Sequence, residues 1–280
     1  RRGVRGDDSG QIWEALIRPS GRVREGEILE FDEGLKAHVM DAPNHETGIR
    51  HLHFDHKENM NQILERIGHI PLPPYIDRED LPIDRELYQT VFARNPGAVA
   101  SPTAGLHFDE ELLRAIEAKG VEILFVTLHV SYSTFRSVIC EDLAEHKTYE
   151  EYFEISDETA ERINFAKADG RRVIACGTTV VRALESAATT TKRGQVQQDS
   201  LYLSPFGSVE ARSETTRLFI YPPYEFKIAD AMITNFHLPR TTLLMLTSAF
   251  AGHEFLMNAY QEAIKQKYRF YSYGDAMLIL

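Results

Sequence analysis

Cysteine is scarce in this chain: Cys140 and Cys176 are the only two among 280 residues. They form no CxxC and no disulfide framework, so a reducing, cytoplasmic location is expected. No apolar run approaches the length of a membrane span, and no signal-peptide pattern opens the sequence, so no membrane partner is expected. A Walker loop, a GxGxxG and a GxSxG are all missing, which counts against nucleotide triphosphatases, dinucleotide enzymes and serine hydrolases. Positive charge is in the minority, with 31 Lys and Arg against 42 Asp and Glu, a net charge of −11. That excludes a wholesale basic coat for nucleic acid and leaves room for a local basic patch.

What is present is a length and a 43% hydrophobic content that suit a sizeable core, in one large domain or two. Residues 1 to about 56 read as short strands: Ile12–Ile17, Glu27–Phe31, Leu35–Met40 and Gly48–Phe54. Gly- and Pro-containing turns separate them, the pattern of a small barrel or sandwich. Lys57–Ile67 follows as a helix ended by Gly68, and Pro71-Leu72-Pro73-Pro74 is a stiff connector. The expected fold is α/β: a mostly antiparallel β-barrel domain over 1–67 and a large mixed α/β domain over 68–280. Within the latter, Val121–Leu128 and Arg172–Cys176 read as buried strands, the first central and covered on both faces. Leu218–Tyr221 and Ile228–Thr234 read as further strands. Helices are expected over Glu110–Lys119, after Ser156, and over Val180–Ala188, Leu243–Phe250 and Glu254–Lys267. Thr189–Gly207 is small and polar and reads as a loop.

Four segments of the large domain carry groups suited to chemistry. Pro102-Thr103-Ala104-Gly105-Leu106-His107-Phe108 is poor material for a helix or strand interior and leads into Asp109-Glu110-Glu111-Leu112. His107 therefore sits on a tight turn at a helix start, where N–H groups favour anions. His129 closes an apolar strand, at the end where α/β sheets bind ligands. Gly177-Thr178-Thr179 turns into a helix on which Arg182 and Glu185 lie three apart and can pair. Thr234-Asn235-Phe236-His237 follows another strand. Taken singly, each histidine fits a hydrogen-bonded core residue; three at element ends suggest a site. Asp275, in Ser272-Tyr273-Gly274-Asp275, suits either a turn or a ligand-facing carboxylate. His51, His53 and His56 form H-x-H-x-x-H, for which a solvated hairpin is the plainer reading than a metal site.

These segments, in this order, resemble the S-adenosylmethionine:tRNA ribosyltransferase-isomerases of queuosine biosynthesis, the QueA family. The matching stretches are Pro71–Ile76, Tyr88–Ala93, Gly97–Phe108, Phe125–Val130, Gly177–Glu185, Phe219–Pro222, Ile233–Pro239 and Tyr268–Ile279. The resemblance implies transfer of the ribosyl part of S-adenosylmethionine onto 7-aminomethyl-7-deazaguanine at the tRNA wobble position. The sugar is isomerised to give epoxyqueuosine, and adenine and methionine leave. No separate cofactor and no metal are implied, because S-adenosylmethionine is itself consumed. Such a reaction needs a base for the C5′ proton, a donor for the departing adenine and a deprotonated amine. His107, His129, His237 and Asp275 are the catalytic candidates implied. Thr103, Gly105, Thr178, Thr179, Arg182, Glu185, Asn235 and Tyr273 are the substrate-binding candidates, with Arg182 suited to the methionine carboxylate. Which histidine is the base stays open.

The chain departs from the family's pattern at His129-Val130-Ser131-Tyr132-Ser133-Thr134-Phe135-Arg136-Ser137, where two glycines and a proline are serines. It departs again at His146-Lys147-Thr148-Tyr149-Glu150-Glu151, where a Met and a His are replaced. The family's N-terminal Asn-Asp/Asn-Thr-Arg-Val motif is absent, which fits the abrupt start at Arg1. A diverged paralogue binding a related nucleoside or RNA is the alternative, and a methyltransferase is disfavoured by the missing glycine-rich turn. Arg1, Arg2, Arg5, Arg18, Arg22, Arg24, Lys265, Lys267 and Arg269 are candidate phosphate contacts for tRNA, and a monomer is expected.

Overall fold

The computed structural model describes residues 12–17, 19–42, 49–131, 138, 140, 142–146, 148, 150–189 and 207–280. It falls into two compact units, Arg1–Pro71 and Leu72–Leu280. In the first, β1 (Ile12–Leu16), β2 (Ile28–Glu30), β3 (Lys36–Val39) and β4 (Ile49–Phe54) form an antiparallel sheet in the order β1-β4-β3-β2. β4 alternates as a half-buried strand should: Arg50, Leu52 and Phe54 point inward, and His51 and His53 lie on the other face. Ala37, Val39, Leu52 and Phe54 pack on Met60 and Ile63 of α1 (Met60–Ile67), which Asn59 caps by accepting from the Asn61 N–H. Arg50 is tolerated on this face because it donates to the Val23 carbonyl at 3.1 Å and to the Asp41 carbonyl.

One expectation for this unit changes. The sheet is open among the described residues, with β1 and β2 as its outer strands, so the barrel is not seen to close. His51 is held by Asp41 at 2.6 Å and His53 lies 3.5 Å from Asp55, and no metal-holding group of His, Cys, Asp and Glu occurs among the described residues.

The second unit is mixed α/β. β5 (Thr127–His129), β6 (Glu151–Ile155) and β10 (Arg212–Thr216) make one antiparallel sheet, in the order β10-β6-β5. β7 (Ile174–Cys176) runs parallel to β11 (Ala231–Asn235), which pairs antiparallel with β12 (Ala276–Ile279). β8 (Ala188–Thr189) and β9 (Ser208–Val209) form a short ladder. The helices are α2 (Asp84–Leu87), α3 (Glu110–Glu117), α4 (Asp157–Ala168), α5 (Thr178–Ser186), α6 (Thr242–Ala251) and α7 (His253–Lys265). Phe153, Ile155, Ile163, Ala175, Val181, Leu184, Met232 and Leu246 form the main core, and Phe236, Leu256, Tyr260 and Ala263 a second one. α6 is apolar on all sides because it serves both: Leu246 and Phe250 face the first, Leu244 and Ala251 the second.

The expected helices are present, with Asp109, Ser156 and Thr241 as side-chain caps. The strands differ more. The run 121–128 is not a central strand: only Thr127–His129 pairs, at a sheet edge, and Val121, Leu124 and Phe125 are exposed. β7 is likewise an edge, with Ile174 45% exposed rather than buried. Leu218–Tyr221 is not a strand; the polar segment Arg212–Thr216 pairs with β6 instead, its side chains largely in solvent. Ser272–Asp275 leads directly into β12. Of the expected loop Thr189–Gly207, residues 190–206 lie outside the described residues, as do Arg1, Arg2, Arg5, Arg18, Ser133, Ser137 and Tyr149.

Candidate active site

β7 and β11 run parallel, and both end at the same edge, at Cys176 and Asn235. The Gly177 N–H donates to the Ile233 carbonyl at 2.8 Å, and α5 starts there. Gly177 has φ +103, and a Cβ on it would sit 3.7 Å from that of Ala104. The turn Thr103–His107 is thus seated against the start of α5 and the end of β11. Its glycine is required by space: a Cβ on Gly105 would come within 2.8 Å of Thr90 and 2.9 Å of Phe92.

Side chains close this junction. Thr103 Oγ1 donates to Asn235 Oδ1 at 3.0 Å, and Asn235 Nδ2 lies 3.1 Å from His107 Nε2 and 3.3 Å from the Tyr271 carbonyl. Tyr271 adopts φ 73 and donates its own N–H to the Phe236 carbonyl at 3.0 Å. Burial lowers the pKa of His107, the nearby Asp275 opposes that shift, and Arg269 adds to it. His107 is therefore neutral at neutral pH. Asp275 spends both oxygens on Arg269, accepting from its N–H at 2.6 Å and its Nη2 at 2.8 Å. It is a turn staple whose charge His107 still senses.

A small, open cleft lies beside the junction, lined among others by Tyr75, Thr103, Asn235, His237, Tyr271 and Ser272. Tyr75 is bonded to Ser272 through its hydroxyl, and its ring lies 4.9 Å from that of Tyr271. His237 is buried, with Nε2 2.8 Å from Thr234 Oγ1 and its N–H on the Tyr260 hydroxyl at 2.8 Å. Burial pushes its pKa down to about 4, so it is a neutral wall of the cleft. Tyr273 turns away: its hydroxyl donates to Asp84 at 3.0 Å, and Arg78 grips the same carboxylate at 2.6 and 2.9 Å.

His129 forms a second cluster. Its ring lies 4.9 Å from that of Tyr152 and is backed by Gly97, where a Cβ would fall 2.6 Å from Cε1. Its Nε2 is buried without a hydrogen-bond partner, and burial lowers its pKa. On α5, Arg182 donates to Glu151 at 2.5 Å and to the Leu218 carbonyl at 3.0 Å. The Arg182–Glu185 pair is therefore not formed. Glu185 instead accepts the backbone N–H groups of Lys227, Ile228 and Ala229 at 2.9, 2.9 and 3.2 Å. A helix face placed both side chains on one side, but buried amides and a buried acid each offered a better partner. Thr178 is buried and Thr179 half-buried in the first turn of α5.

The structure thus joins Thr103, Gly105, His107, Asn235 and the start of α5 with the Tyr271–Asp275 loop, and places His237 on the adjoining cleft. It sets Arg182, Glu185 and Tyr273 into structural contacts. Sequence reasoning missed Tyr75, Tyr271, Gly97, Glu151 and Asp84. Gly97 and Tyr75 lie inside distinctive stretches, whereas nothing local distinguishes Asp84 or Glu151 from surface acids.

This is a mixed α/β protein with a histidine–amide site at the carboxyl ends of two parallel strands. Residues 4–279 match the family described as Queuosine biosynthesis protein, and the chain belongs to that family. It is 46% identical over 269 residues to the S-adenosylmethionine:tRNA ribosyltransferase-isomerase of Sulfurihydrogenibium sp., covering 96% of this chain and 73% of that protein. It is 47% identical over 268 residues to the protein of the same name from Natranaerobius thermophilus, covering 95% and 73%. A solved S-adenosylmethionine tRNA ribosyltransferase from Thermotoga maritima is 34% identical, with 96% of this chain and 71% of that chain covered and a TM-score of 0.46.

Proposed function

We propose that this chain transfers and isomerises the ribosyl moiety of S-adenosylmethionine onto 7-aminomethyl-7-deazaguanine in tRNA, giving epoxyqueuosine-tRNA, adenine and methionine. The observation that carries this is the 46% identity, over 96% of the chain, with a relative of that named activity. The site geometry supports it: neutral His107 near a helix start, with neutral His237 on the adjoining cleft, suits a cationic sulfonium substrate whose protons must move. His107 and His129 are the proposed acid–base groups, with Thr103 and Asn235 fixing His107, Asp275 acting through its charge, and His237 as a neutral wall. The N–H groups at the start of α5, with Thr178 and Thr179, suit the methionine carboxylate better than Arg182, which Glu151 already neutralises. S-adenosylmethionine is consumed as donor, with no separate cofactor.

The exposed Arg22 and Arg24 in one unit, and Lys265, Lys267 and Arg269 in the other, are proposed tRNA phosphate contacts. We take the four-stranded sheet as part of the family's barrel and the active form as a cytoplasmic monomer. Among the described residues no helix is long and apolar enough to cross a membrane. The deciding experiment incubates the chain with S-adenosylmethionine and tRNA carrying the aminomethyl base. Release of adenine and methionine in step with ribosylated tRNA is the expected result; S-adenosylhomocysteine as the product would refute it.

A further inference from the structure

Asn235 ends β11, and its amide has one workable orientation. The Tyr271 carbonyl can only accept, so the atom 3.3 Å from it must be the NH2 and not the oxygen. That orientation puts Oδ1 against Thr103 Oγ1 at 3.0 Å, where the hydroxyl donates. The remaining Nδ2 hydrogen is directed to His107 Nε2, 3.1 Å away. A donor facing Nε2 requires a lone pair there. We infer that Asn235 is a positioning residue that holds His107 as the neutral imidazole with its proton on Nδ1, so that the ring N–H left for any further partner is the Nδ1–H.

The alternatives each break a contact. A proton on Nε2 would set two donors against each other. Turning the amide to receive that proton would set two acceptors against each other at Tyr271, whose carbonyl also receives the Gly274 N–H at 3.1 Å. The charged groups acting on His107 are Asp275 and Arg269, which pull in opposite directions and are ion-paired to each other at 2.8 Å. Their charges largely offset, which leaves the amide to decide the tautomer. Removal of a substrate proton then falls to a group other than resting His107. The tautomer stands on the geometry alone; its part in turnover rests on the ribosyl transfer proposed above.

The test is a long-range proton–nitrogen correlation spectrum of the whole chain labelled with ¹⁵N-histidine at pH 7.5, with His107 assigned by the signals lost in His107→Gln. The expected pattern is a protonated Nδ1 and an unprotonated Nε2. Asn235→Asp puts an acceptor where Nδ2 was; the Nε2 should then carry a proton. The acid limb of the kcat profile should move up by about one pH unit or more. kcat should fall on the order of 10²-fold. A protonated Nε2 in the unsubstituted protein overturns the inference, and that spectrum requires no variant to fold at site 235. The same holds if Asn235→Asp folds and leaves the nitrogen pattern unchanged. The expected tautomer without any ribosyl transfer supports the inference and refutes the function. Transfer with the opposite tautomer does the reverse.

Discussion

Replacing Glu185 separates a ligand-binding acid from one that holds the fold. Glu185 is 5% exposed. Its Oε1 accepts from the Ile228 and Ala229 N–H groups at 2.9 and 3.2 Å, and its Oε2 from the Lys227 N–H at 2.9 Å and the Tyr224 hydroxyl at 3.5 Å. One carboxylate thus serves three consecutive amides, and Ile228 and Ala229 are 0% and 6% exposed. Glu185→Ala strands all three. At about 1–3 kcal/mol for each buried donor left without an acceptor, the two buried amides alone cost about 2–6 kcal/mol. That is a large part of the 5–15 kcal/mol that holds an ordinary domain together, by a rough general figure. Glu185→Gln turns one acceptor into a donor that faces donors, so it should cost about 1–3 kcal/mol. Urea denaturation followed by far-ultraviolet circular dichroism is the assay, because the only tryptophan, Trp13, lies in the other unit. A Glu185→Gln midpoint equal to that of the unsubstituted protein, together with a raised KM for S-adenosylmethionine, would refute this reasoning and restore Glu185 as a substrate ligand.

Three further outcomes are expected. Gly97→Ala places a Cβ 2.6 Å from His129 Cε1 on a backbone of φ +148, so kcat should fall on the order of 10-fold or more while the far-ultraviolet spectrum is kept; unchanged kcat removes His129 from the reaction. Glu151→Ala leaves the Arg182 guanidinium buried without its acid and should cost about 3–5 kcal/mol in urea denaturation, whereas Glu151→Met with Arg182→Met should recover most of it. His237 has its pKa depressed to about 4 in the folded chain against about 6.5 unfolded. Its stabilising contribution is therefore complete above pH 6.5 and is lost as pH falls toward 4, about 3 kcal/mol in all. His237→Gln should flatten the stability profile between those limits, and an unchanged profile would refute the burial argument.

The helices were legible in the sequence because their signals are local. Asp109, Ser156 and Thr241 are side chains that cap only a helix start, and the apolar spacing of α1 repeats at helical period. The strands were not, because strand burial is a tertiary property. Val121–Phe125 has the composition of a central strand yet precedes β5 rather than forming it, with Val121, Leu124 and Phe125 exposed, and Arg212–Thr216 pairs with β6 although nothing apolar in it asks for a partner. The site divides the same way. Thr103, Gly105, His107 and Asn235 could be picked out because a proline, a glycine and polar groups at element ends are out of place in a core. Arg182 and Glu185 could pair by spacing but do not, because helix spacing reports who is near in that helix, while the Glu151 carboxylate and the 227–229 amides arrive from elsewhere in the chain.

Segment 97–107 links the elements that carry the two candidate histidines: His129 ends β5, and His107 lies on the turn Thr103–His107, which packs against β11. Gly97 backs the His129 ring. Two residues on, the Val99 and Ala100 N–H groups both donate to the Val130 carbonyl, at 2.9 and 3.2 Å. Thr103 and His107 then meet the Asn235 amide on the other side. A short strap of backbone therefore connects the surroundings of His129 with those of His107. The Ser131 N–H, one residue past Val130, donates to Glu151 Oε1 at 3.3 Å, and Glu151 Oε2 carries Arg182. Ser131, one of the positions where the chain departs from the pattern the resemblance implies, is thus tied to the buried ion pair through its backbone, a contact that any residue with an N–H can make. Glycine at 131 would keep that bond, so the change there is compatible with an intact strap and an intact His129.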